Sequence, residues 1–364
     1  MMINNKKVIH MTTVHNLYDT RIYHKQCLSL LKAGYDVSLI APVEGHIEGA
    51  TFFTDDDLKI IATTKRKKRL SRMLISTWKT YRIAKKENAD YYHFHDPELL
   101  WVGWLLKKKT NTIIFDIHED YYTSILQKPY LIKPVKKIIA SLYNKIESFL
   151  MKKMDLCLAE KYYQERYPDG QVILNYPILN ELLINVERCS EDVAEAVIYT
   201  GNVTEVRGSY LHAFIPTLPS KYEIHFFGKC SKTIAEKMKE IASESENKLH
   251  FTGVDYFVRR EEIDNGYLMK NWLAGMAIFP PTAHYKRKEL TKFFEYMTAG
   301  LPIICSNFPT WLSFINKYQC GITVDPNKPE EWENAINYLR NNPRERNKMI
   351  ENGRKEEYFN VCGS

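Results

Sequence analysis

No pair of cysteines in this sequence has C-x-x-C spacing. Seven cysteines stand at 27, 157, 189, 230, 305, 320 and 362, several of them inside apolar runs. That pattern excludes a zinc finger or a dithiol redox centre and reads as reduced, buried thiols of a cytosolic protein. No run reaches the roughly 18–20 apolar residues that cross a bilayer, and the opening MMINNKKVIHMTTV lacks the apolar core of a secretory signal. The chain is therefore expected in the cytoplasm. Internal repeats and low-complexity tracts are missing. So are G-x-G-x-x-G and the P-loop Gly-Lys-Ser/Thr, which excludes the dinucleotide fingerprint and a Walker-type site. Acid is missing locally: from Lys65 to Lys86 the chain carries ten Lys/Arg and no Asp or Glu.

What is present is enough for two cores. The chain has 364 residues, 45% hydrophobic and 26% charged, with 24 Tyr and a net charge of +7; that length points to two globular domains. The charge is uneven. Besides KRKKRLSRMLISTWKTYRIAKK, the first half holds LKKKT at 106–110 and IKPVKK at 132–137. Basic surfaces of this kind attract anionic lipid, phosphorylated substrates or nucleic acid. No nucleic-acid-binding module occurs, so nucleic acid is not an expected partner. In the 65–86 segment Met73, Leu74, Trp78, Tyr81 and Ile83 interleave with the cations. That is the pattern of a basic amphipathic helix resting on an anionic membrane surface.

Short β-branched runs alternate with helical segments throughout. Strands are expected at 7–14, 36–42, 58–63, 91–95, 112–117, 155–159 and 171–175, with helices at 20–33, 71–87, 98–108, 134–152 and 161–166. DVSLIAP and NTIIFDI are apolar on both faces, as buried parallel strands must be. The polar, acid-rich stretch 180–196 reads as a linker between residues 1–179 and 197–364. The alternation then restarts, with strands at 197–200, 223–227, 249–252, 275–279, 302–305 and 321–324. Helices are expected at 207–215, 231–245, 260–270, 290–299, 310–317, 329–340 and 343–357. The expected fold is α/β: two Rossmann-like domains with parallel sheets facing a central cleft, ligands lying beyond the carboxyl ends of the strands.

Residues just after strands are then the functional candidates. After the first strand, Asp19 or Thr20 suits a helix cap. Arg21 and Lys25 sit in first turns that disfavour cations, so an anion is expected nearby. HFHDPELL follows the 91–95 strand; alternation puts His93 and His95 on one side, with no distant third ligand indicated, so no metal is expected. Asp96 is placed as the cap before Pro97 and Glu98, and His95 as a pocket-lining candidate. FDIHEDYY ends the 112–117 strand. There His118 is placed either to meet a substrate hydroxyl or to be satisfied in the core, with Glu119 and Asp120 favouring its charged form. In YTGNVTEVRGSY, Gly201 permits a close turn and Asn202 and Arg207 follow near a helix start, an arrangement suited to phosphate. Three strands end in glycine, at 201, 228 and 253, which suggests a ligand across the sheet edge.

KFFEYMTAGLPIICS, at 292–306, completes the set. With YTGNVTEVRGS, FTGV, FDIHEDYY and HFHDPELL, in that family's order and spread over nearly the whole chain, it resembles family 4 of the glycosyltransferases, the retaining enzymes of GT-B fold. The resemblance implies a nucleotide-sugar donor, UDP- or GDP-linked, held by the C-terminal domain without a metal ion. It assigns Glu295 to the ribose hydroxyls, Lys292 and Phe293 to the diphosphate at a helix start, and Arg207 to the diphosphate. Asn202 stands where many members carry Arg, Val254 near the base, Gly228 in the donor loop, and His118 at the transferred sugar. The family's first Glu, eight residues before Glu295, is here Arg287, with Glu289 two positions off. That leaves sugar recognition open, with Arg287, Glu289, Asp19, Arg21, His95 and Glu119 as the candidate sugar or acceptor contacts. The implied role is transfer to a glycan or lipid-linked acceptor in cell-surface polysaccharide biosynthesis. A sugar-nucleotide epimerase of the same fold and a non-catalytic sugar-nucleotide-binding protein are the alternatives.

Overall fold

The computed structural model describes residues 6–66, 68–118, 121, 122, 125, 132–177, 180–188, 193–282 and 284–355. Glu119 and Asp120 lie outside them, as do Cys189 and Cys362. Two compact units divide at Asn175 and Tyr176.

Unit 1 is built on an eight-stranded sheet. Its strands are β1 (Lys7–Met11), β2 (Asp36–Pro42), β3 (Thr51–Phe53), β4 (Lys59–Thr63), β5 (Tyr91–Phe94), β6 (Thr112–Ile117), β7 (Asp155–Leu158) and β8 (Gln171–Val172). They lie in the order β3-β4-β2-β1-β5-β6-β7-β8. Only β3 is antiparallel to its neighbour. The sequence does not announce β3, because three half-exposed residues on a sheet edge carry no burial pattern. The expected first strand stops at Met11, since Thr12 and Thr13 turn away to hydrogen-bond Asp96. After β1 a π-helical segment (Thr20–Cys27) runs on as α1 (Leu28–Lys32). Asp19 caps it, accepting from the N–H groups of Arg21 and Ile22. Later helices are α2 (Thr77–Glu87), α3 (Leu100–Leu106) and α4 (Lys133–Met151).

Unit 2 has six parallel strands: β9 (Ala196–Thr200), β10 (Glu223–Cys230), β11 (Leu249–Val254), β12 (Gly275–Ala277), β13 (Ile303–Ser306) and β14 (Gly321–Val324). Their order is β11-β10-β9-β12-β13-β14. The helices that bear on the site are α5 (Glu181–Ile184), α6 (Lys232–Ala242), α7 (Arg260–Met269) and α8 (Thr291–Thr298). The described part of the expected linker is not a free tether. Leu183 is buried in the core of unit 2, and Arg188 donates to the carbonyls of Tyr267, Lys270 and Ala299. The hold comes from one buried leucine and from an arginine donating to helix-end carbonyls, neither of which a polar composition displays.

Both sheets reverse direction beside their first strand, between β1 and β5 and between β9 and β12. Crevices at such switch points are where open α/β sheets take ligands. Cys27, Cys230, Cys305 and Cys320 are buried thiols and Cys157 is half-buried, all unpaired.

Candidate functional site

The carboxyl ends of β9 and β12, with the start of α8, gather the cations of unit 2. The turn after β9 owes its shape to backbone crowding. A Cβ on Gly228 would stand 2.0 Å from the Gly201 carbonyl oxygen, and one on Gly253 would stand 2.5 Å from that of Gly228. Gly228 and Gly253 therefore let neighbouring backbones touch, whereas a Cβ on Gly201 would meet only the Arg207 guanidinium, at 3.9 Å. Gly208 adopts φ +76°, and a Cβ there would meet the Ile278 carbonyl oxygen at 2.0 Å. His212 fixes this corner: its Nδ1 lies 2.7 Å from the Gly208 carbonyl and its Nε2 accepts from the Ile278 N–H at 3.1 Å.

Arg207 is aimed by Tyr285, whose hydroxyl accepts from Nε at 3.2 Å. Lys292, in the first turn of α8, is buried, and its ammonium has no hydrogen-bond partner. The ammonium lies 3.6 Å from the centre of the Tyr199 ring and 5.0 Å from that of Phe279. Burial, and then the nearby Arg207, push it well below the usual lysine range. A buried amine without a hydrogen-bond partner, next to a guanidinium, is costly to charge unless an anion arrives. The structure thus brings Gly201, Arg207 and Lys292 together. Phe293 is core, and its own N–H is spent on the Leu290 carbonyl. Asn202 is exposed, and its carbonyl accepts from the Tyr199 hydroxyl.

Glu295 is neither a cap nor a solvated side chain. It pairs with Arg260 of α7, and its other oxygen accepts from the Tyr267 hydroxyl at 3.1 Å. Thr200 Oγ1 lies 2.9 Å from that same hydroxyl, so the carboxylate is tied to the end of β9. The sequence reading missed Arg260, Tyr199, Tyr267 and Tyr285; none carries a spacing signal, because three separate elements deliver them. Val254 instead borders a hollow of about 580 Å³ between β11 and α6 that contains none of these cations. The hollow is lined by sheet-edge and helix-surface residues. Arg287 and Glu289 lie in the loop before α8, Arg287 exposed in a turn and Glu289 half-buried.

In unit 1 the switch point is packed with imidazoles. His10 Nδ1 lies 3.1 Å from His95 Nε2, and His95 Nδ1 lies 3.2 Å from His118 Nε2. Asp116 sits beneath them, 3.3 Å from His95 and 3.6 Å from His118. Arg21 donates to both of its oxygens, at 2.9 and 2.7 Å, and Gln26 donates at 2.6 Å. The anion expected near Arg21 is therefore Asp116, inside the fold. Lys25 reaches Asn175 at 2.6 Å. His95 is fully buried between two other rings, which corrects its placement as pocket lining. Asp96 makes no side-chain cap; it accepts from Thr12, from the Thr13 N–H and from the Thr13 hydroxyl. Asp19, besides capping, meets His15 at 3.1 Å.

Two sets of possible metal ligands lie here, His10 with His93 and His95, and His95 with Asp116 and His118. The sequence showed no third group near His93 and His95, because His10 and Asp116 come from other strands. The rings of His93 and His95 stack, and Asp116 already accepts from Arg21 and Gln26, so the cluster is arranged as packed, mutually bonded side chains.

Burial decides the charge of these rings. It takes His10 and His93 well below the usual range, and it holds His118 down at about 3, with Asp116 opposing and His95 adding to the effect. At His118 desolvation outweighs the Asp116 carboxylate; Glu119 and Asp120, on which the expectation of a charged ring rested, lie outside the described residues. Burial and Lys292 hold His212 at about 3 as well. Unfolded histidines titrate near ~6.5, so between about 3 and ~6.5 the unfolded chain binds more protons. The stability these rings contribute is complete above ~6.5 and is lost as pH falls towards the folded values. The melting temperature is expected to fall steadily as pH is lowered from ~6.5 to ~4, and a flat profile over that range would contradict the assignment.

Residues 20–165 match the family described as Glycosyltransferase Family 4, and residues 221–356 match Glycosyl transferases group 1. No curated protein matches the chain by sequence. Solved structures share its fold at low identity. Sucrose-phosphate synthase from Thermosynechococcus elongatus is 15% identical, with a TM-score of 0.70 over 98% of this chain and 95% of that one. HepE from Anabaena, solved with UDP-glucose, is 11% identical at a TM-score of 0.67, covering 96% and 94%. WaaG, a glycosyltransferase involved in lipopolysaccharide biosynthesis, is 13% identical at 0.66, covering 98% and 95%. Among the described residues no helix is long and apolar enough to cross a membrane.

Proposed function

We propose, on the premise that the chain is a group 1 glycosyltransferase of GT-B fold, that it moves a sugar with retention from a nucleotide-sugar donor bound by unit 2. The observation that carries this is the buried, unpartnered ammonium of Lys292 beside Arg207. Two cations at a strand-end turn fit a diphosphate, which bears charge throughout and gains more as the glycosidic bond breaks. Fixed charges aimed at that developing charge lower the barrier without reorganising. Glu295, oriented by Arg260 and Tyr267, is the proposed partner of the ribose hydroxyls. His118, neutral and at the end of β6, is the proposed contact to the transferred sugar. The UDP-glucose in HepE supports a donor of this class. UDP- and GDP-sugars are the candidates, bound without a metal ion.

The proposed acceptor is a glycan or lipid-linked glycan of cell-surface polysaccharide synthesis. WaaG is a fold neighbour with such a role. The 65–86 segment is proposed to draw the enzyme to anionic membrane. Lys65, Arg72 and Lys79 are spent on Glu44, Glu98 and Glu48. Lys68, Arg69, Arg82, Lys85 and Lys86 have no carboxylate partner among the described residues.

A panel of nucleotide sugars read by thermal shift tests the donor, because a ligand of the native state alone raises its apparent stability. Glu295→Ala is expected to weaken the responding donor about tenfold, the size of a lost charge-assisted bond. Unchanged affinity in that variant would remove Glu295 from the site.

A further inference from the structure

The helix α4 carries an apolar stripe on its water-facing side. Its buried side carries Glu147, whose carboxylate accepts from Tyr143 at 2.7 Å, Arg166 at 2.7 Å and Tyr167 at 3.0 Å. Its outer side carries Ile138, Leu142, Ile146 and Phe149, which are 67%, 57%, 49% and 58% exposed. Steps of four, four and three place them on one stripe. Glu147 is the only acid of α4 and is turned inward, so the exposed side of the helix offers apolar groups, lysines and two serines, with no acid among them. Lys137 and Lys145 are exposed on the helix, and Lys152 and Lys153 follow its end. α4 packs on α3, and α3 packs on α2. There Trp104 and Trp78 are also exposed, preceded along the chain by exposed Leu70 and Leu74.

We infer that α4 is a lipid-contacting helix. It seats this stripe at the boundary of headgroups and acyl chains of an anionic bilayer, with its lysines on lipid phosphates. The charge selects this occupant. A second copy docking on the same face would set lysines against lysines, since a two-fold contact apposes identical patches. An anionic bilayer offers apolar depth and negative charge together. The inference deepens the membrane reading of the 65–86 segment and rests on it for the choice of anionic lipid.

Sedimentation of the full chain with phosphatidylglycerol–phosphatidylcholine vesicles and with pure phosphatidylcholine vesicles tests both readings separately. Two variants are compared with the parent: Leu142→Gln/Phe149→Gln, and Arg82→Gln/Lys85→Gln/Lys86→Gln. All five side chains face water, and thermal melting checks that the fold is retained. The parent is expected to sediment with the anionic vesicles, and the stripe variant to lose roughly tenfold or more of that partitioning. Partitioning of the stripe variant equal to the parent's overturns the role of α4, and the membrane reading then rests on the basic segment alone. Absence of parent binding to anionic vesicles overturns both. A parent dimer in sedimentation equilibrium that the stripe variant abolishes overturns the lipid assignment in favour of self-contact.

Discussion

Lys292→Met is expected to weaken donor binding by about 30- to 150-fold while leaving the protein as stable as before, or more so. Hydrogen bonds to charged groups contribute about 1.5–3 kcal/mol each, and ~1.4 kcal/mol is a factor of ten. Loss of a buried ammonium bound to diphosphate falls at the upper end of that range. Stability moves the other way because the ligand-free protein holds this ammonium without a hydrogen-bond partner, over the faces of Tyr199 and Phe279. A methionine of similar length replaces a buried, unpartnered amine with an apolar side chain in an aromatic setting. The sign with pH follows from the direction of the shift. Lys292 stands well below its usual range when the site is empty, and a bound diphosphate raises it again. Donor binding therefore takes up a proton, and affinity falls as pH rises through the interval between the two values. Titration calorimetry in buffers of different ionisation enthalpy reads that proton directly. Equal donor affinity in the variant, with no buffer dependence in the parent, would show that the diphosphate lies elsewhere.

Asp116→Ala is expected to cost about 3–5 kcal/mol of stability, the usual result of removing one partner of a buried ion pair. Asp116 and Arg21 are essentially inaccessible to water, and the guanidinium meets both carboxylate oxygens. Removing the carboxylate leaves Arg21 buried, Gln26 without its acceptor and three histidine rings without their nearest anion. Against a typical ~5–15 kcal/mol of total stability, that is a large fraction. Urea unfolding measures it. The double variant Arg21→Met/Asp116→Leu is expected to recover much of the loss, because no unpaired charge remains. If the double variant is as unstable as the sum of its parts, the cost lies in packing and not in charge.

How much was legible beforehand depends on what each feature rests on. The strands 36–42, 112–117 and 321–324 appear at the expected positions, because continuous β-branched runs between turn residues have few other ways to be buried. The start of α8 and the placement of Lys292 and Glu295 on it were readable from KFFEYMTAGLPIICS. The fates of those side chains were not. Glu295 is held by Arg260, which is 35 residues away along the chain. Arg21 finds its anion 95 residues away, in Asp116. Local pattern carries no information about such pairs. Gly228 and Gly253 were hard to read for a related reason: a glycine needed for backbone contact looks the same in sequence as one needed for a ligand.

The sequence by itself determined the alternation of strands and helices, the doubling of the α/β unit, the family, and the placement of Lys292 and Glu295 at one helix start, because periodicity, glycine punctuation and local motifs are properties of neighbouring residues. Only the tertiary structure decided which charges are answered inside the fold and which are not. Arg21 is answered by Asp116 and Glu295 by Arg260, while Lys292 has no hydrogen-bond partner. It also decided that α4 turns its one acid inward and its apolar stripe to water. Both are matters of burial and of partners brought from distant strands, and a linear sequence states neither.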